Sequence, residues 1–268
     1  MLLNKSNISK YLEKKDTSYK IFNIKYTQKE QEAIDNFNIS NENFFTYFGK
    51  MNENIIGICY NNNNKTKIDI LEFLSKIGTN TEKDIKIINN IIYKLLNKVT
   101  VGYNKNYIWL SLRIFLPNKD YDLVRWHTDG FKKQSKFVTL FKGPGTLFID
   151  DSDIKSKETY FETNDKFSEE YNKYFKNNKI DRNEILKMRD KYRKIQAKKL
   201  KNAKVVQPNN NQGAIFLTDY SKEPKNKMEE YLYSPCIHSE PTNNKPRFFI
   251  SVMCGTKKNI NEVSKSAN

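Results

Sequence analysis

The sequence predicts an α+β fold in which N-terminal helices buttress a strand-built core and a charged helical segment interrupts that core. Three observations carry this expectation. Between Thr81 and Val99, apolar residues recur at helical spacing (Ile85, Ile88, Ile92, Leu95, Leu96), the pattern of a helix face packed on a sheet. From Tyr107 the period becomes two. Ile108, Leu110, Leu112, Ile114 and Leu116 form an aliphatic face, while Tyr107, Trp109, Ser111, Arg113 and Phe115 form a mixed one. A strand with one apolar side under helices and one mixed side toward a cavity has this pattern. Third, residues 155–204 hold 16 Lys or Arg against 8 Asp or Glu, so this stretch carries +8 of the chain's +16.

Taken in order, the first hundred residues read as a mainly helical support region, 1–100. Thr27 to Phe37 reads as a short helix, and Asn43 to Tyr60 as two strands around a Gly-Lys-Met-Asn-Glu-Asn turn. Lys67 to Ile77 reads as another helix, and Thr81 is placed to cap the long one. The core spans 101–257. After the Tyr107 strand, Lys136 to Lys142 and Thr146 to Asp150 read as strands separated by the Gly143-Pro144-Gly145 turn. Gly213 to Asp219, Ser234 to Ser239 and Arg247 to Cys254 complete the set. The charged insertion is placed at 151–206. Within it Asp181 to Ala203 reads as a helix with a thin apolar stripe of Ile185, Leu186, Tyr192, Ile195 and Leu200. Residues 258–268 are polar and read as a flexible tail.

The chain has two histidines. His127 lies in Arg125-Trp126-His127-Thr128-Asp129-Gly130, and His238 in Cys236-Ile237-His238-Ser239-Glu240-Pro241, nine positions before Arg247. On extended backbone the i, i+2 spacing of His127 and Asp129 points both side chains to one face. A second histidine from a distant strand then completes a two-histidine, one-carboxylate set that holds a metal by one face and leaves the other open.

The strand content, the His-x-Asp step, the distant histidine and the following arginine together resemble the Fe(II)/2-oxoglutarate-dependent dioxygenase superfamily. The resemblance covers about Tyr107 to Gly255, the inserted segment excluded. It implies a double-stranded β-helix, a jelly-roll or cupin-like pair of sheets with the metal at its mouth. It also implies His127, Asp129 and His238 as iron ligands and Arg247 as the group that holds the far carboxylate of 2-oxoglutarate. A planar guanidinium suits that task because it binds a carboxylate bidentately and keeps its charge in a partly dry barrel. Arg247, Phe249, Ser251 and Met253 alternate onto one face, which places Ser251 near the co-substrate as well. Trp109, Ser111, Arg113, Trp126, Lys136 and Thr139 are candidates for the substrate wall or for groups that support the ligands. The implied activity is hydroxylation of a substrate with release of succinate and CO2, using Fe(II) as cofactor and 2-oxoglutarate and O2 as co-substrates.

Two departures from the superfamily pattern stand out. The histidines are 111 positions apart, a long gap that the insertion explains. Between Arg113 and Trp126 there is a tyrosine, Tyr121, but no glycine, unlike many prolyl-hydroxylase-like members. Arg247 is closer to the phytanoyl-hydroxylase pattern than to the lysine of prolyl hydroxylases. The subfamily stays open.

Charge supports an alternative. A net charge of +16 suits a basic nucleic-acid-binding protein on a non-catalytic β-helix barrel. The abundance of Lys, Asn and Ile is equally what AT-rich codon usage produces. A cupin-like enzyme using the same metal without 2-oxoglutarate is a third reading, which Arg247 disfavours. Expected partners are therefore 2-oxoglutarate and an unidentified substrate, polyanionic or a protein, with nucleic acid as an open possibility. No apolar run reaches the length of a membrane span, and Met1 to Lys15 lacks the apolar stretch of a secretory signal. Three widely spaced cysteines form neither a disulfide framework nor a zinc pattern, so a reducing, intracellular compartment is expected.

Overall fold

The computed structural model describes the chain except residues 51–58, 61–66, 69, 118–122, 133, 178–180, 243–244 and 267–268. The expected turn after Gly49, and Tyr121, lie outside the described residues. The helical half of the support region consists of α1 (Lys5–Lys14), α2 (Gln28–Asn36), α3 (Ile70–Lys76) and α4 (Glu82–Tyr103). Capping defines their starts. Thr27 accepts from the Glu30 backbone N–H while the Glu30 carboxylate accepts from the Thr27 N–H, a reciprocal capping box. Thr81 accepts from the Asp84 N–H at the head of α4. The expected Lys67 to Ile77 helix is shorter at its start, because Lys67–Ile68 pair as a strand, β4, with β3 (Cys59–Tyr60).

Among the described residues the core is two facing antiparallel sheets. The larger has the order β1 (Tyr19–Asn23), β9 (Gln212–Leu217), β6 (Ser135–Lys142), β11 (Arg247–Gly255), β5 (Tyr107–Phe115), β2 (Asn43–Lys50). The smaller has the order β10 (His238–Ser239), β7 (Leu147–Ile149), β8 (Val205–Val206). An isolated antiparallel bridge, His127 to His238, adds one further position beside β10. From β5 onward the chain therefore passes back and forth between the sheets. β5, β6, β9 and β11 fall in the larger, and the His127 bridge, β7, β8 and β10 in the smaller. The central strands β5–β11–β6–β9 face the row His127–β10–β7–β8. This is a jelly-roll core with β1 and β2 added at the two edges of the larger sheet.

Strand parity sorts the side chains into layers. Ile108, Leu110, Leu112 and Ile114 of β5 share a buried cluster with Ile88, Ile92, Leu95 and Leu96 of α4, so the helices cover the outer face of the larger sheet. Val138, Leu140, Phe148, Ala214, Phe216, Cys236 and Phe249 fill the space between the sheets. Trp126, Ile149 and Ile237 point out of the smaller sheet and meet Tyr160 and Leu200. Those last two belong to the insertion. It forms two helices, α5 (Ile154–Asn177) and α6 (Arg182–Lys199), packed antiparallel with Gln196 near Asn164 and Lys191 on Glu170. Leu200 is buried by this arrangement, but Leu186 of the expected stripe is 46% exposed, so the stripe is thinner than its spacing suggests. The return strand β8 pairs with β7, so the last two residues of the segment expected as insertion are part of the smaller sheet.

Two differences from the sequence reading are structural. The polar tail is helical: α8 (Lys257–Ser266) lays Ile260 against Trp109 and Met253, an apolar anchor within a mostly polar segment. A further short helix, α7 (Lys227–Leu232), sits between β9 and β10.

The start of the insertion is fastened to Ser18, ahead of β1, by Asp151, which Lys157 braces from within the insertion. Lys157, 1% exposed, donates to Asp151 Oδ1 at 2.7 Å, and Asp151 also accepts from the Ser18 N–H and hydroxyl at 2.7 and 2.6 Å. Removing one partner of a buried pair strands the other charge, whereas replacing both is far cheaper. Lys157→Met is therefore expected to cost about 3 kcal/mol of unfolding free energy, and adding Asp151→Asn should restore part of it. Urea denaturation measures both, and a loss below about 1 kcal/mol in the single variant would show that the pair does not hold the insertion.

Candidate metal centre

His127 and His238 are each other's backbone neighbours. The His127 N–H donates to the His238 carbonyl and the His238 N–H to the His127 carbonyl, both at 2.9 Å. This two-way bridge places both imidazoles on the inner side of the smaller sheet, with ring centroids 4.3 Å apart. Each Nδ1 lies against a backbone carbonyl two residues earlier, Arg125 O at 2.9 Å for His127 and Cys236 O at 3.1 Å for His238. With the proton held on Nδ1 by those carbonyls, both Nε2 atoms keep their lone pairs free, as metal-binding histidines require.

Asp129 faces the same point. Its Oδ1 lies 3.7 Å from His127 Nε2 and 3.6 Å from His238 Nε2. The three ligand atoms fall within 4.8 Å of one another. Two ligands at about 2.1 Å on adjacent octahedral positions stand about 3.0 Å apart, so a small inward movement closes the set around a first-row ion. The second oxygen, Oδ2, accepts from Lys136 Nζ at 2.9 Å. Burial alone would raise the Asp129 pKa, but Lys136, His238 and His127 outweigh it and hold the carboxyl well below the usual range. It is an anion, as a ligand must be. The His127 side chain is 47% exposed. Partial desolvation and the neighbouring His238 lower its pKa, so it is neutral near pH 7. The residues present fit a two-histidine, one-carboxylate metal site.

Gly130, at φ +68°, turns the chain away directly after Asp129, a conformation that side chains rarely adopt. Beyond the ligands opens a cavity of about 240 Å³ between the sheets. Trp109, Arg113 and Lys136 of the expected group line it, with Lys136 Nζ 5.8 Å from the Trp109 ring. Ser111 lies behind Arg113, whose Nε donates to its hydroxyl at 2.9 Å. Trp126 is buried on the opposite face of the smaller sheet, under the insertion, and lines an outer cavity instead. Thr139 is a correction. It shares its strand face with Phe137 and Phe141, which pack toward the helices, and its hydroxyl donates to Gln212 O at 2.9 Å. It faces away from the site.

Arg247 sits just behind the cavity wall, 2% exposed. Its Nε donates to Pro144 O and its Nη2 to Thr146 Oγ1, both at 3.1 Å, and its guanidinium stacks 4.7 Å from the Phe249 ring centroid. Glu240 Oε1 stands 3.7 Å from Nη1. Burial lowers the Arg247 pKa to about 10, which leaves it a cation at neutral pH. Thr146, Glu240 and Phe249 are themselves in the wall. Ser251 is buried opposite Ser111, outside that wall, and its hydroxyl has no hydrogen-bond partner among the described residues. Sequence reasoning missed Thr146, Phe216 and Glu240. Thr146 shares parity with the inward Phe148, and Glu240 lies two residues beyond His238, so a period-two reading of each short strand would have found both.

No family model matches the sequence, and no curated protein matches it. Solved structures do resemble the fold at low scores. A dioxygenase for auxin oxidation in rice is 8% identical, with a TM-score of 0.42 over 95% of this chain and 79% of that one. A Pseudomonas putida prolyl-4-hydroxylase is 6% identical, with a TM-score of 0.35 over 93% and 99%. A prolyl hydroxylase from Trichoplax adhaerens is 8% identical, with a TM-score of 0.34 over 97% and 93%. At these identities and scores the likeness carries no weight for the reaction, which has to rest on the side chains. Among the described residues no helix is long and apolar enough to cross a membrane.

Proposed function

We propose that the chain is an Fe(II)- and 2-oxoglutarate-dependent dioxygenase that hydroxylates its substrate. The observation that supports this reading most is the convergence of His127 Nε2, His238 Nε2 and Asp129 Oδ1 at the mouth of a jelly-roll core. Iron and 2-oxoglutarate bound there supply the activation of dioxygen that oxidises a substrate C–H bond, with 2-oxoglutarate leaving as succinate and CO2. The chain's own residues do the rest. The Arg125 and Cys236 carbonyls fix the histidine tautomers, and Lys136 holds the outer oxygen of Asp129 so that the inner one, with the two Nε2 atoms, would hold the metal. Arg247 and Thr146 together receive the far carboxylate of the co-substrate. Glu240, already beside Nη1, marks that place as one an oxyanion can occupy. Phe131, Val138, Phe216 and Phe249 give the cavity an apolar wall that limits water near the reacting centre.

The test is anaerobic addition of Fe(II) and then 2-oxoglutarate to the purified full chain. A weak visible charge-transfer band is expected only when both are present, and aerobic incubation should release succinate. Iron binding without any band on adding 2-oxoglutarate would sink the reading in favour of a metal enzyme that does not use this co-substrate.

A further inference from the structure

The insertion builds a second cavity on the far side of His127. Of about 380 Å³, it is lined by Arg125, Trp126 and His127 from the segment that carries the ligand, by Arg189 and Arg193 from α6, and by Glu240. An adjoining aromatic recess of about 160 Å³ shares Trp126, His127, Arg189 and Arg193 and adds Tyr192. His127 borders both this outer cavity and the inner one, and its half-exposed ring forms the partition between them.

Three guanidiniums gather here from two elements far apart in sequence. The electrostatics are consistent with close approach. Burial lowers the Arg193 pKa, and the charges of Arg125 and Arg189 lower it further, with Asp190 only partly compensating. Mutual repulsion of this kind costs stability that the fold could avoid, and an oxyanion placed among the three removes it. A lysine-rich, solvated helix face would not behave so, because ammonium groups spread into water. The charge of the insertion is mostly lysine, whereas the groups turned toward this cavity are arginines, the side chain suited to planar, bidentate recognition of phosphate and carboxylate.

We infer that the outer cavity is an anion site that takes a small molecule carrying a phosphate or carboxylate group, held by Arg125, Arg189 and Arg193, with its body against Trp126 and Tyr192. To serve as substrate that molecule must extend past His127 into the inner cavity, so its identity as substrate rests on the oxygenase reading, while the anion site stands on the arginines alone. A small molecule fits better than a polymer because the basic groups converge on one cavity rather than form a stripe, and Glu240 in the same lining disfavours a continuous polyanion.

The experiment uses the full iron-loaded chain and three probes that share a phenyl ring: phenyl phosphate, benzoate and benzyl alcohol. Calorimetry with wild type should show phenyl phosphate or benzoate binding at least tenfold more tightly than benzyl alcohol, and the tighter anion identifies the group recognised. In Arg189→Gln/Arg193→Gln that affinity should fall at least tenfold, while the Fe(II)/2-oxoglutarate band stays at wild-type strength. Arg189→Lys/Arg193→Lys should recover only part of the affinity, since a point charge lacks the guanidinium fork. Circular dichroism checks that both variants are folded. Equal binding of all three probes, or anion binding unchanged in the glutamine variant, would overturn the inference. Binding of a single-stranded oligonucleotide with none of phenyl phosphate or benzoate would overturn it too, in favour of a polymer. A missing charge-transfer band beside intact, arginine-dependent anion binding would instead sink the oxygenase reading and leave the anion site standing.

Discussion

His127→Ala is expected to leave the chain folded and to abolish Fe(II) binding. The side chain is half exposed, and the bridge to His238 is made by backbone atoms that the substitution does not touch. What disappears is one of three ligand atoms, and two ligands do not hold a first-row ion against water. Turnover should fall by at least about a thousandfold, which corresponds to about 4 kcal/mol of barrier. The charge-transfer band should be lost at iron concentrations that saturate wild type. Asp129→Ala should abolish binding as well, and it should also destabilise the fold, because the mostly buried Lys136 then loses the carboxylate that pairs its ammonium. A chain that keeps wild-type iron affinity after His127→Ala would place the metal elsewhere.

The convergence of His127, Asp129 and His238 was legible because its geometry depends on so little. His127 belongs to no extended strand, only to a single bridge, yet an i, i+2 step on extended backbone was enough to put its ring and the Asp129 carboxylate on one side. The β5 strand and α4 were legible for the complementary reason, since each repeats its period over at least nine residues. Thr139 was not. Phe137, Val138, Thr139, Leu140 and Phe141 are apolar or nearly so on both faces, because β6 is covered by helices on one side and by the inner core on the other. A strand buried on both faces loses the alternation that tells which way a residue points. Helix α5 escaped notice because, among the described side chains, it buries little beyond Lys157, Tyr160 and Thr163, and α8 because Ile260 is the apolar side chain it is seen to bury there. Such elements owe their placement to tertiary contacts that no local pattern announces. The outer arginine cluster is of the same kind: Arg125 and Arg193 are 68 positions apart, and only the return of α6 over the smaller sheet unites them.

Arg247→Ala is expected to raise the 2-oxoglutarate concentration needed for half-maximal turnover by about a hundredfold or more, since losing one partner of a buried, hydrogen-bonded charge pair costs about 2–5 kcal/mol. Iron affinity should hardly change, because none of the three ligands bonds to this side chain. Two cations compete for the role. Arg113 lines the cavity directly, whereas Arg247 stands behind Thr146, Glu240 and Phe249. The case for Arg247 is its preorganisation. Gly143, at φ +87°, lets the turn pass so close to β11 that an added Cβ would lie 2.5 Å from Pro246 O and 3.1 Å from Arg247 Cβ. That approach brings Pro144 O onto Nε, and Thr146 takes one side of the guanidinium, so the far edge is aimed and rigid before any co-substrate arrives. Arg113 is held by Ser111 and stacks 5.3 Å from Phe44 near the sheet edge, where it is less fixed. Arg247→Lys should recover little, because an ammonium cannot bond Pro144, Thr146 and a carboxylate in one plane. Thr146→Val, which keeps the shape and removes the hydroxyl, should give a smaller rise of about fivefold, in line with about 1 kcal/mol for one hydrogen bond. Measuring 2-oxoglutarate dependence for Arg247→Ala and Arg113→Ala side by side decides between the two. A large rise confined to Arg113→Ala would assign the carboxylate to that arginine and leave Arg247 as the strut that holds the Gly143–Thr146 turn against β11.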